Sequence, residues 1–555
     1  MSNLAKDHFI NQEHQAEPLF LDGSSMSLTS FERFVGGDVH ARVSPHLDDN
    51  FFNKSISVLD ELLSEGRKIY GVNTLFGGMA NQEAVCEELL QEELILSHLS
   101  GVGAPLADED VKGAMLLRAN SLCHGVSGIR KAIVDRYLFL ANNDCLPLVH
   151  EYGSIGASGD LIPLSAMAGA ACGISETTKL KHNGEYRNAK AVLKTLGLTP
   201  FTLKPKEGLA LINGTSVLTS IAANNCIRIS HAFSLHMHIQ ILIAEVMQCD
   251  INPFNAFIHQ YRPHPGQVLV ASILREALES SALIHSQKQV EKGFSNDELI
   301  QDRYSLRCMP QYLGAIIEEL FVIERTIKIE MNGATDNPLI NADDRTHLHG
   351  GNFLGQHVGM SMDKQRSCVA LLAKHNEAQL CLLVESSFSK GLPPSLIDET
   401  GIGRHVGIKP LQILSNSLTP LLEHKANPLC THFPVHAEQF NQNLNSQAYG
   451  SAQLTRESIQ IFQKQLAVMC IAAAQAATLR AKQKGKSINA LYSHHSQNLL
   501  QSIGSVLGCD LSGKTALIST TSNGQYSNWL TALTSAIEQN KLPCAKDIGW
   551  GDINL

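Results

Sequence analysis

The sequence predicts an all-α protein built on a bundle of long helices, and three observations predict it. Thr215 to Asp250 contains neither Gly nor Pro, and neither does Gln267 to Lys292, which Pro265-Gly266 enters and Gly293 leaves. After Pro310, the residues Leu313, Ile316, Ile317, Leu320, Ile323 and Ile327 recur at helical spacing until Asn332-Gly333 stops them. No strand alternation of any length interrupts the chain. Helices this long cannot each wrap a small core, so they must lie side by side.

Taken in order, the chain changes texture twice. Up to about residue 205, short helical patterns alternate with Gly-rich turns, which suggests an N-terminal domain over 18–205. The bundle follows over 206–485. Pro310 sits where a first-turn proline belongs, Asp363 to Phe388 reads as another long helix, and Gln447 to Lys482 is broken only by Gly450. Beyond residue 485 the shorter helices and loops return, with Gly504, Gly508 and Gly513 as turns, giving a C-terminal segment over 486–555.

Composition narrows the function. A 555-residue chain that is 44% hydrophobic and 17% charged can bury a large core. A formal net charge of −9 without any Lys/Arg cluster argues against a nucleic-acid partner. The N-terminal stretch lacks the apolar run of a secretory leader. Leu466 to Leu479 is short, Ala-rich and contains Gln475, so it reads as a buried bundle helix and no membrane contact is expected. The thirteen cysteines include no CxxC pair and are odd in number, which suggests free thiols in a reducing cytoplasm. Among the 24 histidines, His347-x-His349, His494-His495 and Cys430-x-His432 with His436 match no known metal spacing, so no metal is expected.

The chemistry concentrates in Gly153-Ser-Ile-Gly-Ala-Ser-Gly-Asp160. A phosphate cradle would need a Lys-Ser/Thr ending that is missing. A nucleophile elbow at Ser158 would need a preceding strand, and Gly where Asp160 stands. A plain turn capped by Asp160 is the bland reading. A fourth reading uses the residue types themselves. Attack of the Gly159 nitrogen on the Ala157 carbonyl closes a five-membered ring with loss of that oxygen as water, and loss of a second water from Ser158 leaves an exocyclic methylene. Gly lets the nitrogen approach without a Cβ, Ala contributes little bulk, and Ser supplies the β-hydroxyl.

That segment, continued as GSIGASGDLIPLS, resembles the signature of the histidine, phenylalanine and tyrosine ammonia-lyases. The resemblance runs from about Tyr70 to about Gln475 through YGVNTLFGGMAN (70–81), LINGTSV (211–217), QDRYSLRCMPQYLG (301–314), TDNPLI (335–340), HGGNFLGQHVGMSMD (349–363), GLPPSL (391–396) and HAEQFNQNLNSQ (436–447). It implies the fumarase/aspartase-like helical fold and a homotetramer whose active sites are completed by several subunits. It also implies a methylidene-imidazolone made from Ala157, Ser158 and Gly159, with no external cofactor.

The same resemblance implies the roles. Tyr70 takes the β-proton, which requires a lowered pKa, and nearby helix N-termini are expected to provide it. Arg307 pairs with the carboxylate of an aromatic L-amino acid, a match for its guanidinium. Asn337, before Pro338, donates to that carboxylate or holds the amine. Tyr304, Asn213 and Gln301 contact the electrophile; a helical turn would put Tyr304 and Arg307 on one face. Phe353 packs on the electrophile, and Glu438 and Gln442 bracket the amine. Selectivity falls to His98-Leu99: an imidazole can pair a para-hydroxyl that Phe would leave unpaired. Histidine lyases carry Ala after that His, and a Glu where this chain has Asn443, so tyrosine ranks first, phenylalanine second and histidine third. Leu75 stands in place of a glycine and is expected to stiffen the Tyr70 loop. An aminomutase and a catalytically silent helical scaffold are the alternatives.

Overall fold

The computed structural model describes residues 17–284, 301–519 and 525–543. It is mainly helical, and among the described residues the longest helices are Ser216–Val246, Met309–Met331, Gln356–Val384 and Ala448–Lys484. Pro265–Leu278 is a shorter helix, with Pro265 opening its first turn, where a missing N–H costs nothing. The helix expected over 267–292 therefore ends at Leu278, and its last part, from residue 285, lies outside the described residues.

Gly359 and Gly314 lie inside helices because other segments of the chain approach closely there. Gln356–Val384 begins seven residues before the expected start at Asp363 and includes Gly359. A Cβ on Gly359 would come within 2.6 Å of the Cys430 sulfur and 3.0 Å of the Ser446 carbonyl oxygen. Gly314 likewise faces the Gly266-Gln267 backbone, 2.4 Å from Gln267 N at its hypothetical Cβ. Close packing outweighs the cost of glycine in a helix, about 1 kcal/mol.

Short strands accompany the helices without leaving the alternation a sequence would reveal. Among the described residues there are four two-stranded ladders, whose strands are three or four residues long, such as Lys179–His182 with Glu185–Asn188. Strands this short leave no readable alternation.

The chain forms two compact units that interleave in sequence. One comprises residues 1–224, 325–361 and 429–453, the other 225–324, 362–428 and 454–555. Boundaries near 205 and 485 do not coincide with this division, because four long helices each contribute residues to both units. In the second unit a single apolar cluster is assembled from facing residues such as Leu242, Leu313, Leu372, Phe462 and Ala472. Leu466 to Leu479 is buried throughout, and no described helix is long and apolar enough to cross a membrane. Every cysteine among the described residues is a free thiol.

The first unit builds the scaffold of the site. Leu161–Cys172 starts directly after Asp160 and stops at Gly173, whose φ of +69° is the left-handed cap such a terminus favours. Beside it, the Glu207–Ile212 helix ends at Asn213, where the backbone turns extended (φ −89°, ψ 99°) before Ser216–Val246 begins.

Candidate active site

Ala157-Ser158-Gly159 is held at both flanks. Gly159 pairs with Gly214 in a parallel bridge, and the Asp160 N–H donates to the Gly214 carbonyl at 2.7 Å. Gly159 has φ +73°, and a Cβ there would fall 1.9 Å from the Gly214 oxygen, so this position accepts only glycine. Ser154 Oγ donates to the Gly159 carbonyl at 3.2 Å and to Asp160 Oδ1 at 2.9 Å. Asp160 does not cap its own helix. Its Oδ2 instead accepts the Leu218 N–H at 2.8 Å, at the start of Ser216–Val246. Burial pushes the Asp160 carboxyl up to about 7, against the opposing pull of the Leu218 N–H and the Ser154 hydroxyl.

Asn213 Nδ2 donates to the Ser158 carbonyl at 3.0 Å. Its position is fixed from below by the fully buried Arg118, which donates to the Asn213 carbonyl at 3.0 Å, to Ala210 O at 3.1 Å and to Thr335 Oγ1 at 3.3 Å. Asn213 Oδ1 has no partner among the described residues. Gln442 Nε2 donates to Ser158 Oγ at 2.9 Å. Thus Ser158 is gripped at its carbonyl and its hydroxyl by two amides. No hydrogen bond among the described residues engages the Ala157 carbonyl or the Gly159 N–H, the two groups that ring closure would join. The tripeptide therefore fits the cyclisation chemistry.

Over this segment lies a cavity of about 530 Å³, ample for an aromatic amino acid. Tyr70, His98, Ser158, Asn213, Asn337, Phe353 and Glu438 line it, with Leu94, Leu161 and Leu209 as apolar wall. Asn337 Oδ1 accepts the Gly350 N–H at 2.7 Å, which turns its Nδ2 donors to other work. It follows Asp336, which forms a fully buried 2.5 Å ion pair with Lys206. Leu99 does not line the cavity and faces Gly169.

The Tyr70 hydroxyl accepts the Gly77 N–H at 2.9 Å, and its ring meets Phe76 and His349 edge-on at 6.2 and 6.3 Å. The expected lowering of its pKa is reversed. Burial raises the phenol above its ordinary value, the Gly77 N–H opposes this, and the Glu438 carboxylate adds to the rise. The loop itself is ordered by a Thr74–Glu83 bridge and a Leu75 N–H to Gln82 O bond of 3.0 Å. Leu75 has an ordinary negative φ and does not line the cavity. Glu438, Gln439 and Phe440 all occupy the left-handed region, at φ 47°, 57° and 66°, local strain of a kind that clusters at functional sites.

His98 caps the Glu87–Ser97 helix, and its Nδ1 lies 2.7 Å from the Leu94 carbonyl oxygen. A carbonyl only accepts, so Nδ1 carries a proton, and the tautomer this selects has Nε2 as its acceptor. Gln301, Tyr304 and Arg307 belong to the second unit and do not line the cavity. Tyr304 to Arg307 form one helical turn, with the guanidinium 4.5 Å over the tyrosine ring. Tyr304 is 72% exposed, and Arg307 Nε has no partner among the described residues.

Sequence reasoning gave no role to Lys68 and Asn441 and weighed His349 only as a metal ligand, yet all three line the cavity. His349 and Asn441 lie inside quoted motifs, so adjacency was the available signal; Lys68 precedes its motif and offered none. Among the described residues, no group of three or more His, Cys, Asp or Glu side chains could hold a metal.

The family description "Aromatic amino acid lyase" matches residues 26–500. A phenylalanine ammonia-lyase of Nostoc punctiforme is 44% identical over 434 residues, covering 78% of this chain and 76% of the relative. An aromatic ammonia-lyase of Loktanella atrilutea is 37% identical, covering 85% and 86%. Among solved structures, the phenylalanine aminomutase of Pantoea agglomerans superposes with a TM-score of 0.85 at 27% identity, covering 94% of this chain and 99% of that one.

Proposed function

This chain belongs to the aromatic amino acid lyase family, and from that premise we propose that it removes ammonia from L-tyrosine to give p-coumarate, with L-phenylalanine as a slower substrate and L-histidine third. The observation that carries the tyrosine assignment is His98. With Nδ1 committed to the Leu94 carbonyl, Nε2 can accept a hydrogen bond from a para-hydroxyl entering the cavity. A phenylalanine ring would leave that acceptor unpaired, which costs about 1–3 kcal/mol when buried.

The methylidene-imidazolone formed from Ala157, Ser158 and Gly159 supplies the electron sink, and no external cofactor is needed. Gln442 holds the Ser158 hydroxyl by an N–H, which assists its departure as water. Asn213 secures the Ser158 carbonyl and keeps Oδ1 as an acceptor for an ammonium N–H. Tyr70 takes the β-proton, Phe353 packs beside the electrophile, Glu438 stands over the departing amine, and Asn337 Nδ2 serves the carboxylate or the amine. Arg307 binds the carboxylate, and Gln301 and Tyr304 contact the electrophile, from a second copy of the chain. The exposed Tyr304 and the unpartnered Arg307 Nε support that arrangement. A homotetramer with shared sites, working in the cytoplasm, is the assembly this implies.

An aminomutase is the second reading, favoured by the bridged Tyr70 loop, which would retain an acrylate. The test is ultraviolet absorbance of the protein incubated separately with L-Tyr, L-Phe and L-His, with Ser158→Ala as control and intact mass alongside. Acrylate growth fastest with tyrosine, absent in the control, and a mass short by two waters are expected. Fastest growth with another substrate removes the His98 argument. A β-amino product in place of acrylate supports the mutase. Full encoded mass removes the electrophile and favours a silent scaffold.

A further inference from the structure

The Tyr304–Arg307 turn is a separate element, and its separation leaves a backbone group exposed to loss. In a continuous helix the Ser305 carbonyl would accept the Met309 N–H. Here the chain breaks at Cys308, whose N–H returns to Tyr304 and Leu306, and Met309 begins a new helix. The Ser305 carbonyl is thus an orphan of a helix end and needs another donor.

Two donors meet it from one face of the Gln356–Val384 helix. His375 Nε2 lies 2.9 Å from Ser305 O, and Gln379 Nε2 donates to the same oxygen at 2.6 Å. These residues are four apart, so they project from adjacent turns. His375 is 5% exposed and Gln379 fully buried. The hydrogen bond to a carbonyl fixes the proton on His375 Nε2, which makes His375 Nδ1 an acceptor. His236 on the Ser216–Val246 helix supplies the donor, with its Nε2–H 3.2 Å from His375 Nδ1. Tyr312 stacks on the His375 ring at 5.5 Å and donates its hydroxyl to Leu371 O at 2.9 Å, closing the other side. Burial lowers His375 to about 4 and holds His236 well below its ordinary value, so both rings stay neutral.

We infer that His375, seated by His236 and aided by Gln379, is a positioning residue: it holds the Ser305 carbonyl and thereby sets the turn that presents Arg307 to the substrate carboxylate. The inference rests on the reading of Arg307 as the carboxylate ligand. One long helix brings both donors to this carbonyl, side chains from two others seat His375, and two residues further on Arg307 keeps its Nε without a hydrogen-bond partner among the described residues. A carbonyl satisfied only for stability would need one donor; two buried ones with a relayed tautomer fix its direction as well.

Steady-state kinetics of His375→Leu, His375→Gln, Gln379→Met and Arg307→Ala, with cinnamate inhibition constants and thermal midpoints, test this. A carboxylate contact made equally in ground and transition states appears in KM. His375→Leu and Gln379→Met are each expected to raise KM and the cinnamate constant about tenfold, with kcat within about threefold. His375→Gln, which keeps a donor at the Nε2 position, restores KM. Unchanged KM in both His375→Leu and Gln379→Met, beside a raised KM in Arg307→Ala, overturns the inference. A fall in kcat with no change in KM overturns it too. An Arg307→Ala variant with unaltered KM removes the carboxylate reading instead, and shows the failure to lie there. Should His375→Leu not fold, Gln379→Met and His375→Gln decide alone.

Discussion

Nε2 of His98 is the atom on which the choice between tyrosine and phenylalanine turns, because Nδ1 is already committed to Leu94. His98→Phe is expected to lower kcat/KM for L-Tyr roughly 10²-fold and raise it for L-Phe, as a buried hydroxyl loses its partner; parallel progress curves check this. If the two substrates shift together, His98 does not read the ring. Tyr70 gives a second prediction. Its phenol is raised by burial, so the base form is a small fraction at neutral pH and grows tenfold for each unit of pH below its pKa. Log kcat/KM should therefore rise with a slope near +1 from about pH 7 to about pH 9, and Tyr70→Phe should abolish the rise. A flat profile over that range would mean the proton leaves by another group. The direction of this shift was not legible in the sequence. Helix N-termini are visible in a sequence, whereas the burial of Tyr70 and the Glu438 carboxylate beside it arise only on folding.

Elements carry these residues, and the best-read ones are those whose apolar spacing is long. Pro310 and the Leu313-to-Ile327 series yield Met309–Met331 almost residue for residue. The errors have one physical origin. A glycine signals a break when its backbone freedom is used and a close approach when its missing Cβ is used, and sequence does not separate the two. Gly173 is of the first kind, and Gly359 and Gly314 are of the second. The Lys206–Asp336 pair shows the same limit. It is fully buried between residues 130 apart and stands next to Asn337 at the cavity, yet neither residue was marked by spacing. Lys206→Met leaves a buried carboxylate unpaired and is expected to destabilise the fold by about 3–5 kcal/mol. Adding Asp336→Leu should recover most of that, since breaking a buried pair costs more than replacing it. Denaturant midpoints of the single and double variants check this, and an additive loss would show that the two residues contribute independently and not as a coupled pair.

At the scale of the whole molecule, the candidate residues are drawn from both units. Tyr70, Ser158, Asn213, Asn337, Phe353, Glu438 and Gln442 belong to one unit, Gln301, Tyr304 and Arg307 to the other. Sequence motifs named both sets because a resemblance does not depend on where residues end up, while the interleaving of the units left no mark on composition. If Arg307 serves a site on another copy, two inactive variants can repair each other. Ser158→Ala lacks the electrophile and Arg307→Ala lacks the carboxylate ligand, so each alone should lose most of its activity. In a mixed oligomer some sites pair an intact Ser158 from one copy with an intact Arg307 from another. With random assembly from equal amounts, about a quarter of sites are complete, and activity should return to about a quarter of the unmodified level. Co-expression of differently tagged variants, purified through both tags in sequence, measures it. Activity at the level of the separate variants would place both residues in one chain's site and would require the Tyr304–Arg307 turn to act within its own copy.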